Sequence, residues 1–74
     1  MKPYLNRISI DPNIRFGKPC VNGTRLTVYD VLGWLASGMT YDQILLDYPE
    51  LAMDDILSCL AFAADKTHKL RFAS

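Results

Sequence analysis

Apolar and polar positions change their spacing once along this chain, at about residue 27. Before that point, the segment from Leu5 to Ile10 alternates apolar and polar residues, which predicts a short strand. Asn22-Gly23 is a favoured two-residue hairpin turn, and the β-branched residues Val21 and Thr24 flank it. The first 26 residues therefore predict a small β region with very short strands.

After residue 27 the apolar spacing becomes helical. Thr27 and Thr40 each stand where an N-cap residue is expected, and Asp30 and Gln43 follow three positions on, as in a capping box. Gly38 predicts the end of the first helix. The predicted helices run from about Val28 to Ser37, from the Thr40 cap to Tyr48, and from about Met53 to Lys66. The sequence thus predicts one mainly α domain, in which a short β region (1–26) precedes a three-helix helix-turn-helix cluster (27–66) and a basic tail (67–74).

The third predicted helix has an apolar side and an acidic side when it is drawn on a helical wheel. The apolar side is predicted to face the core and carries Met53, Ile56, Leu57, Leu60, Ala61, Ala63 and Ala64. The opposite side carries Asp54, Asp55, Ser58, Phe62 and Asp65. Three interpretations of Phe62 stay open on this side: an isolated exposed aromatic residue, an aromatic residue covered by the tail, or an anchor in a protein interface.

Charge is divided sharply along the chain although the formal net charge is zero. From Leu26 to Asp65 there are seven acids and no Lys or Arg, and all eight basic residues lie outside this block. Because aspartates repel phosphate, the third helix is not expected to read the major groove. The basic residues that remain for contact with nucleic acid are Arg7, Arg15, Lys18 and Arg25. Arg25 has a structural interpretation too, as the ion-pair partner of Asp30 or Asp55.

The composition gives little sign of enzyme chemistry. Cys20 and Cys59 match no metal-ligand spacing, and the single histidine, His68, lies in the charged tail, so no catalytic residue, metal or cofactor is expected. No apolar run approaches the ~20 residues of a membrane span, and the first residues lack the apolar run of a signal peptide. We therefore expect a soluble, cytoplasmic protein that is not an enzyme. Half of its residues are hydrophobic, which favours association with a partner.

A longer motif covers the turn region and the helices. The run from Gly17 to Val21, followed by Gly23-Thr24-Arg25-Leu26, resembles the bacterial and archaeal family called domain-of-unknown-function family 433. The resemblance extends from about Arg7 to Ala64 and implies a homeodomain-like helix-turn-helix fold. It also implies a role as a VapB-like antitoxin, paired with a toxin that looks like a PIN-domain ribonuclease. Ala52 departs from the family pattern, which usually has Thr or Ser there as an N-cap worth ~1 kcal/mol, unless Asp54 or Asp55 substitutes for it.

Three functional hypotheses follow. The leading one is an antitoxin whose carboxylates occupy the RNA site of a ribonuclease toxin. The surface expected to dock the toxin comprises Asp54, Asp55, Ser58, Phe62, Lys66, Lys69, Arg71 and Phe72. The second is a DNA-binding autorepressor that contacts its own promoter through the N-terminal basic residues. The third is a protein-interaction adaptor without a toxin.

Self-association is a further expectation. The predicted strands are short and leave unpaired edges, which a second copy of the chain can cover. Such a homodimer is expected to bury Leu5, Ile8 and Ile10. The alternative is a monomer whose strand edge is covered by the toxin or by the tail.

Overall fold

A computed structural model describes residues 6–70, with side chains as far as residue 66. Two strands precede three helices: β1 (Ile8–Ser9), β2 (Cys20–Val21), α1 (Val28–Ala36), α2 (Tyr41–Asp47) and α3 (Met53–Leu70). This order confirms the predicted mainly helical fold with a short β region before the helices. None of the helices in this described part is long and apolar enough to cross a membrane. Leu5, Arg71, Phe72 and the side chain of Lys69 lie outside the described residues, and their roles stay predictions.

The two strands form an antiparallel pair near the start of the chain. Ile8 lies opposite Val21, and Ser9 lies opposite Cys20. On its other side, β2 forms a single bridge from Cys20 to Thr27, just before α1. β2 is therefore the inner strand, and β1 is the edge of the sheet within residues 6–70.

The predicted turn at Asn22-Gly23 forms, but it does not close a two-residue hairpin. The Thr24 N–H donates to the Val21 carbonyl at 3.1 Å, and Gly23 has a φ of 77°. A type I′ hairpin turn needs positive φ at both central residues, whereas only Gly23 of this pair has it. The turn instead leads from β2 into the bridge before α1, and the strand partner of β2 is β1.

The connection between the strands contains an unusual backbone segment. A 3-10 turn covers Arg15–Gly17, and its three residues have φ angles of 50°, 60° and 80° in chain order. Glycine adopts positive φ readily, but for a bulky residue such as Phe16 this conformation is strained. The side chain of Phe16 is 95% exposed.

Both predicted capping boxes form and fix the starts of α1 and α2. The Thr27 hydroxyl accepts from the Asp30 N–H at 2.9 Å, and the Asp30 carboxylate accepts from the Thr27 N–H at 3.0 Å. Thr40 and Gln43 make the equivalent bonds at 3.1 and 2.8 Å. Gly38, with a φ of 102°, follows the end of α1, as predicted. Each cap contributes about 1 kcal/mol to the stability of its helix.

The core joins all these elements, and α3 packs against both α1 and α2. Its buried members are Ile8, Val21, Val28, Val31, Ile44, Leu51, Ile56, Cys59 and Phe62. A stack of Trp34 on Tyr48, with ring centroids 4.1 Å apart and planes 11° from parallel, joins α1 to the residue that ends α2.

The core face predicted for α3 is correct only in part, since Leu60 and Ala61 pack against the core but other members do not. Ile56 is fully buried as predicted, but Met53 and Leu57 are 37% and 46% exposed. The buried side of the helix instead carries Asp55, Ser58, Cys59 and Phe62. A wheel treats a helix in isolation, whereas here α1 and the side chain of Arg7 cover the side with the polar residues.

Candidate partner-binding surfaces

The docking face predicted on α3 is largely internal to the chain. Asp55, Ser58 and Phe62 have relative exposures of only 8%, 5% and 7%. They belong to the buried side of the helix, so the prediction that they form an outward docking face is wrong for this conformation. Asp54 and Lys66, from the same predicted set, are exposed.

Asp55 is held by two internal hydrogen bonds. Its Oδ1 accepts from Arg7 Nη1 at 3.0 Å, and its Oδ2 accepts from the Ala52 N–H at 2.8 Å. The second bond satisfies a backbone N–H at the start of α3. This is the reciprocal bond of a capping box, which Asp55 makes although Ala52 has no hydroxyl for the other bond. Arg7 also contacts Asp54 at 3.4 Å, through a carboxylate that is 69% exposed.

Phe62 lies beneath Lys66 at the other end of the predicted face. The Lys66 Nζ is 5.4 Å from the centroid of the Phe62 ring, within the range of a cation–π contact. A cleft of ≈ 380 Å³ beside them is lined by Val28, Tyr29, Leu32, Phe62, Ala63 and Lys66. Lys66 thus lies over one face of the Phe62 ring, next to residues of α1.

Exposed acids and apolar side chains occur together where α2 passes into α3. We call this continuous stretch the acidic corner, and its members are Leu46, Asp47, Glu50, Met53, Asp54 and Leu57. Leu46 is 81% exposed, and the three carboxylates are exposed as well. An open groove of ≈ 420 Å³ adjoins the corner and is lined by Arg7, Asp54, Leu57 and Ser58. Exposed apolar side chains beside carboxylates are typical of a protein-binding surface, and Arg7 adds one positive charge next to Asp54.

Two of the four basic residues predicted to contact nucleic acid are used inside the chain. Arg7 pairs with Asp54 and Asp55, as described above. Arg15 donates to the carbonyl of Arg25 at 2.8 Å and contacts Asp30 at 3.4 Å. The structural role considered for Arg25 is therefore filled by Arg7 and Arg15. Lys18 and Arg25 are exposed.

Asp30 is the group in this region with a shifted pKa. Burial acts to raise the pKa of its carboxyl. Hydrogen bonds from the backbone and side chain of Thr27, together with the charge and hydrogen bond of Arg15, outweigh that effect and lower the pKa below its usual value of 3.8. Asp30 therefore stays ionised while it caps α1 and holds Arg15.

The predicted dimer contacts are only partly available. Ile8 is 8% exposed and belongs to the core of its own chain, so it is not an interface residue; this corrects the prediction. Ile10 is 62% exposed and remains accessible beyond the end of β1.

The two thiols are buried. Burial, and then the charge of Asp55, raise the pKa of Cys59 from 9.0 to about 11, which keeps it protonated at neutral pH. Within residues 6–66, no three His, Cys, Asp or Glu side chains are grouped so that they could hold a metal ion.

The chain matches a known family model over most of its length. Residues 8–63 match the model described as "Protein of unknown function (DUF433)". The chain belongs to this family. A solved DUF433 structure from Anabaena variabilis superposes with a TM-score of 0.81 at 22% sequence identity. At this identity the likeness shows the fold alone. The superposition covers 88% of this chain and 64% of the other one, so this chain spans less than two thirds of that relative. No curated protein matches the sequence.

Sequence reasoning missed two exposed features of this DUF433 chain. Leu57 was assigned to the core because it follows the apolar period of α3. Phe16 drew no attention because a lone aromatic residue in a loop carries no periodic signal. Gly17 was a visible sign of a tight turn, but nothing in the sequence shows that the residues before it share its positive φ.

Proposed function

We propose that this DUF433 chain is an antitoxin that binds a ribonuclease toxin through its acidic corner. The observation that carries the proposal is the exposure of Leu46, Met53 and Leu57 together with three carboxylates between residues 46 and 57. A ribonuclease must hold RNA phosphates with basic groups. A surface with carboxylates around apolar anchors can compete for those groups and add hydrophobic contact area.

The charge of the helical block supports a basic partner. The segment from Leu26 to Asp65 contains seven acids and no Lys or Arg. Arg7 and Arg15, from outside it, pair with three of these acids, Asp30, Asp54 and Asp55, whereas Asp47 and Glu50 of the acidic corner stay exposed. Complementary charge of this kind raises the rate of association with a basic protein and disfavours neutral or acidic partners. The docking surface proposed here replaces the face around Phe62, whose aromatic ring is buried.

The autorepressor hypothesis has less support. Reading of promoter DNA through α3 is opposed by Asp54 at the start of the helix. Among the N-terminal basic residues, Arg7 and Arg15 are engaged in internal ion pairs, which leaves Lys18 and Arg25 to contact DNA. A protein that neutralises few phosphates binds duplex DNA weakly and loses the complex at moderate salt.

Co-expression with the product of the neighbouring gene tests the proposal, which expects that product to be a ribonuclease toxin. We expect a stable complex and suppression of RNA cleavage. Asp47→Lys reverses a charge in the corner without removing a hydrogen bond found among the described side chains. It is expected to weaken the complex by roughly 10-fold or more.

Asp11→Lys is the control for charge, because it makes the same change on the exposed loop after β1. It also removes the acceptor of the Asn13 N–H at 2.9 Å, so a thermal melt checks that this variant keeps its fold. It is expected to leave the affinity for the toxin nearly unchanged. Equal weakening by both variants indicates a general charge effect and refutes docking at the corner. No complex with the ribonuclease refutes the antitoxin role, and a stable complex with a protein that is not a nuclease favours the adaptor hypothesis.

A further inference from the structure

Phe16 stands out as an aromatic side chain that is both strained and unburied. Its φ of 60° and ψ of 32° place a bulky residue in the left-handed region, while its ring is 95% exposed. Strain of this kind costs about 1–3 kcal/mol and persists only where the surroundings enforce it. Burial of the ring does not compensate here, so the conformation calls for another explanation.

The surroundings do enforce it. The Gly17 N–H donates to the Ile14 carbonyl at 3.1 Å, and the Lys18 N–H donates to the Arg15 carbonyl at 3.2 Å. The guanidinium of Arg15 is fixed in turn on the Arg25 carbonyl at 2.8 Å. These hydrogen bonds therefore fix the backbone on both sides of Phe16, and the ring points into solvent with almost no contact to the described residues.

The chain segment that carries the ring is basic, and the acids at its two ends are Asp11 and Asp30, of which Asp30 contacts Arg15. Residues 12–29 contain three basic residues and no acid. Lys18 follows Phe16 by two positions, and the bond from the Arg15 guanidinium to the Arg25 carbonyl links the backbone of Arg25 to this segment. Both Lys18 and Arg25 are exposed, and no carboxylate among the described residues lies within ion-pair distance of either.

We propose that Phe16, Lys18 and Arg25 form a binding platform for single-stranded nucleic acid. An unpaired base stacks on the exposed ring, and the two cations contact the phosphates on either side of it. Stacking on aromatic residues beside basic groups is how proteins bind single strands with little sequence preference. An apolar protein pocket is a poorer match, because the other exposed side chains proposed for this platform, Lys18 and Arg25, are cations. This site is independent of the acidic corner and of the antitoxin proposal.

Fluorescence anisotropy with labelled oligothymidine and oligouridine of roughly ten nucleotides tests the proposal. A hairpin duplex of similar length serves as the comparison probe. Both single strands are expected to bind more tightly than the duplex, whose bases are already stacked. The tighter of the two single strands identifies DNA or RNA as the natural ligand class.

Two kinds of variant separate stacking from charge. Phe16→Leu keeps an apolar side chain at the same strained position but lacks a π face, and it should weaken binding roughly 5- to 150-fold without changing the salt dependence. Phe16→Trp should restore tight binding. Lys18→Ala should reduce the slope of log K against log salt by about 0.7. Leu46→Ala removes an equally prominent apolar side chain from the acidic corner and should have no effect.

Several outcomes would overturn the proposal. These are the absence of binding to either single strand, equal binding to the duplex, or full affinity in Phe16→Leu. Because Phe16 is exposed, a folding defect is not expected in its variants, and a far-UV circular dichroism melt of each one checks this. If Phe16→Leu keeps full affinity for both single strands but weakens a complex with a protein, the ring is a protein anchor and the nucleic-acid proposal fails.

Discussion

Asp54 and Asp55 form a matched pair for measuring what the buried contact with Arg7 contributes. Both carboxylates contact the same guanidinium, yet the side chain of Asp54 is 69% exposed and that of Asp55 is 11% exposed. Asp55 alone also accepts from the Ala52 N–H. The comparison of Asp55→Ala with Asp54→Ala therefore isolates the effect of burial and capping.

The expected losses follow from the contacts. Removing the acceptor of the Ala52 N–H costs about 1 kcal/mol, as for the loss of an N-cap. The ion pair adds roughly 0.5–1 kcal/mol, a reduced figure because Arg7 is 39% exposed and solvent screens it. Asp55→Ala should thus lower the free energy of unfolding by about 2 kcal/mol, which corresponds to roughly 8–16 °C in Tm. Asp54→Ala should cost at most ~0.5 kcal/mol.

Urea titration followed by far-UV circular dichroism measures both variants. Asp55→Asn keeps an oxygen that can accept from the Ala52 N–H but lacks the charge. Its loss in free energy of unfolding should therefore be about half that of Asp55→Ala. A double-mutant cycle with Arg7→Gln should show coupling to Asp55 and almost none to Asp54. Equal losses in Asp54→Ala and Asp55→Ala, or no coupling to Arg7, would refute the reasoning.

Three other predictions concern single positions. Ala52→Ser should raise the free energy of unfolding by roughly 0.5–1 kcal/mol in urea titration, because its hydroxyl offers the Asp55 N–H the acceptor found at the other two helix starts. The lowered pKa of Asp30 stabilises the fold above pH 3.8, the unfolded value, and this contribution is lost as pH falls through the folded pKa. An acid titration of Asp30→Asn should accordingly show a flatter stability curve below that pH. Phe16→Gly should stabilise by roughly 1 kcal/mol, since relief of left-handed strain exceeds the entropy cost of glycine, whereas Phe16→Ala should change little.

The helix starts were predictable because their chemistry is local. Thr27 with Asp30, and Thr40 with Gln43, satisfy backbone N–H groups within one turn, so four residues carry the whole signal. Gly38 marks the end of α1 for the same reason, because a positive φ next to a helix terminus favours glycine.

The orientation of α3 was not predictable in the same way. The helix has more apolar residues than the core buries. A helical wheel therefore shows an apolar face but does not show which side of the helix the neighbouring elements cover. Burial of Asp55 depends on Arg7, which is 48 positions away in the chain. A polar residue becomes a core residue only when such a partner satisfies it, and spacing along one helix carries no trace of that partner. For this reason the predicted docking face around Phe62 is buried, and the acidic corner is the exposed surface that remains.

The stack of Trp34 on Tyr48 makes the only tryptophan of the chain a spectroscopic reporter of one junction. Its emission changes when α1 separates from the end of α2, but the β region and the start of α3 contain no indole to report their own opening. Fluorescence and circular dichroism thus sample different parts of the molecule. If their urea curves coincide, the chain unfolds as one cooperative unit. If circular dichroism changes first, part of the fold outside the α1–α2 junction opens as a separate unit before that junction does.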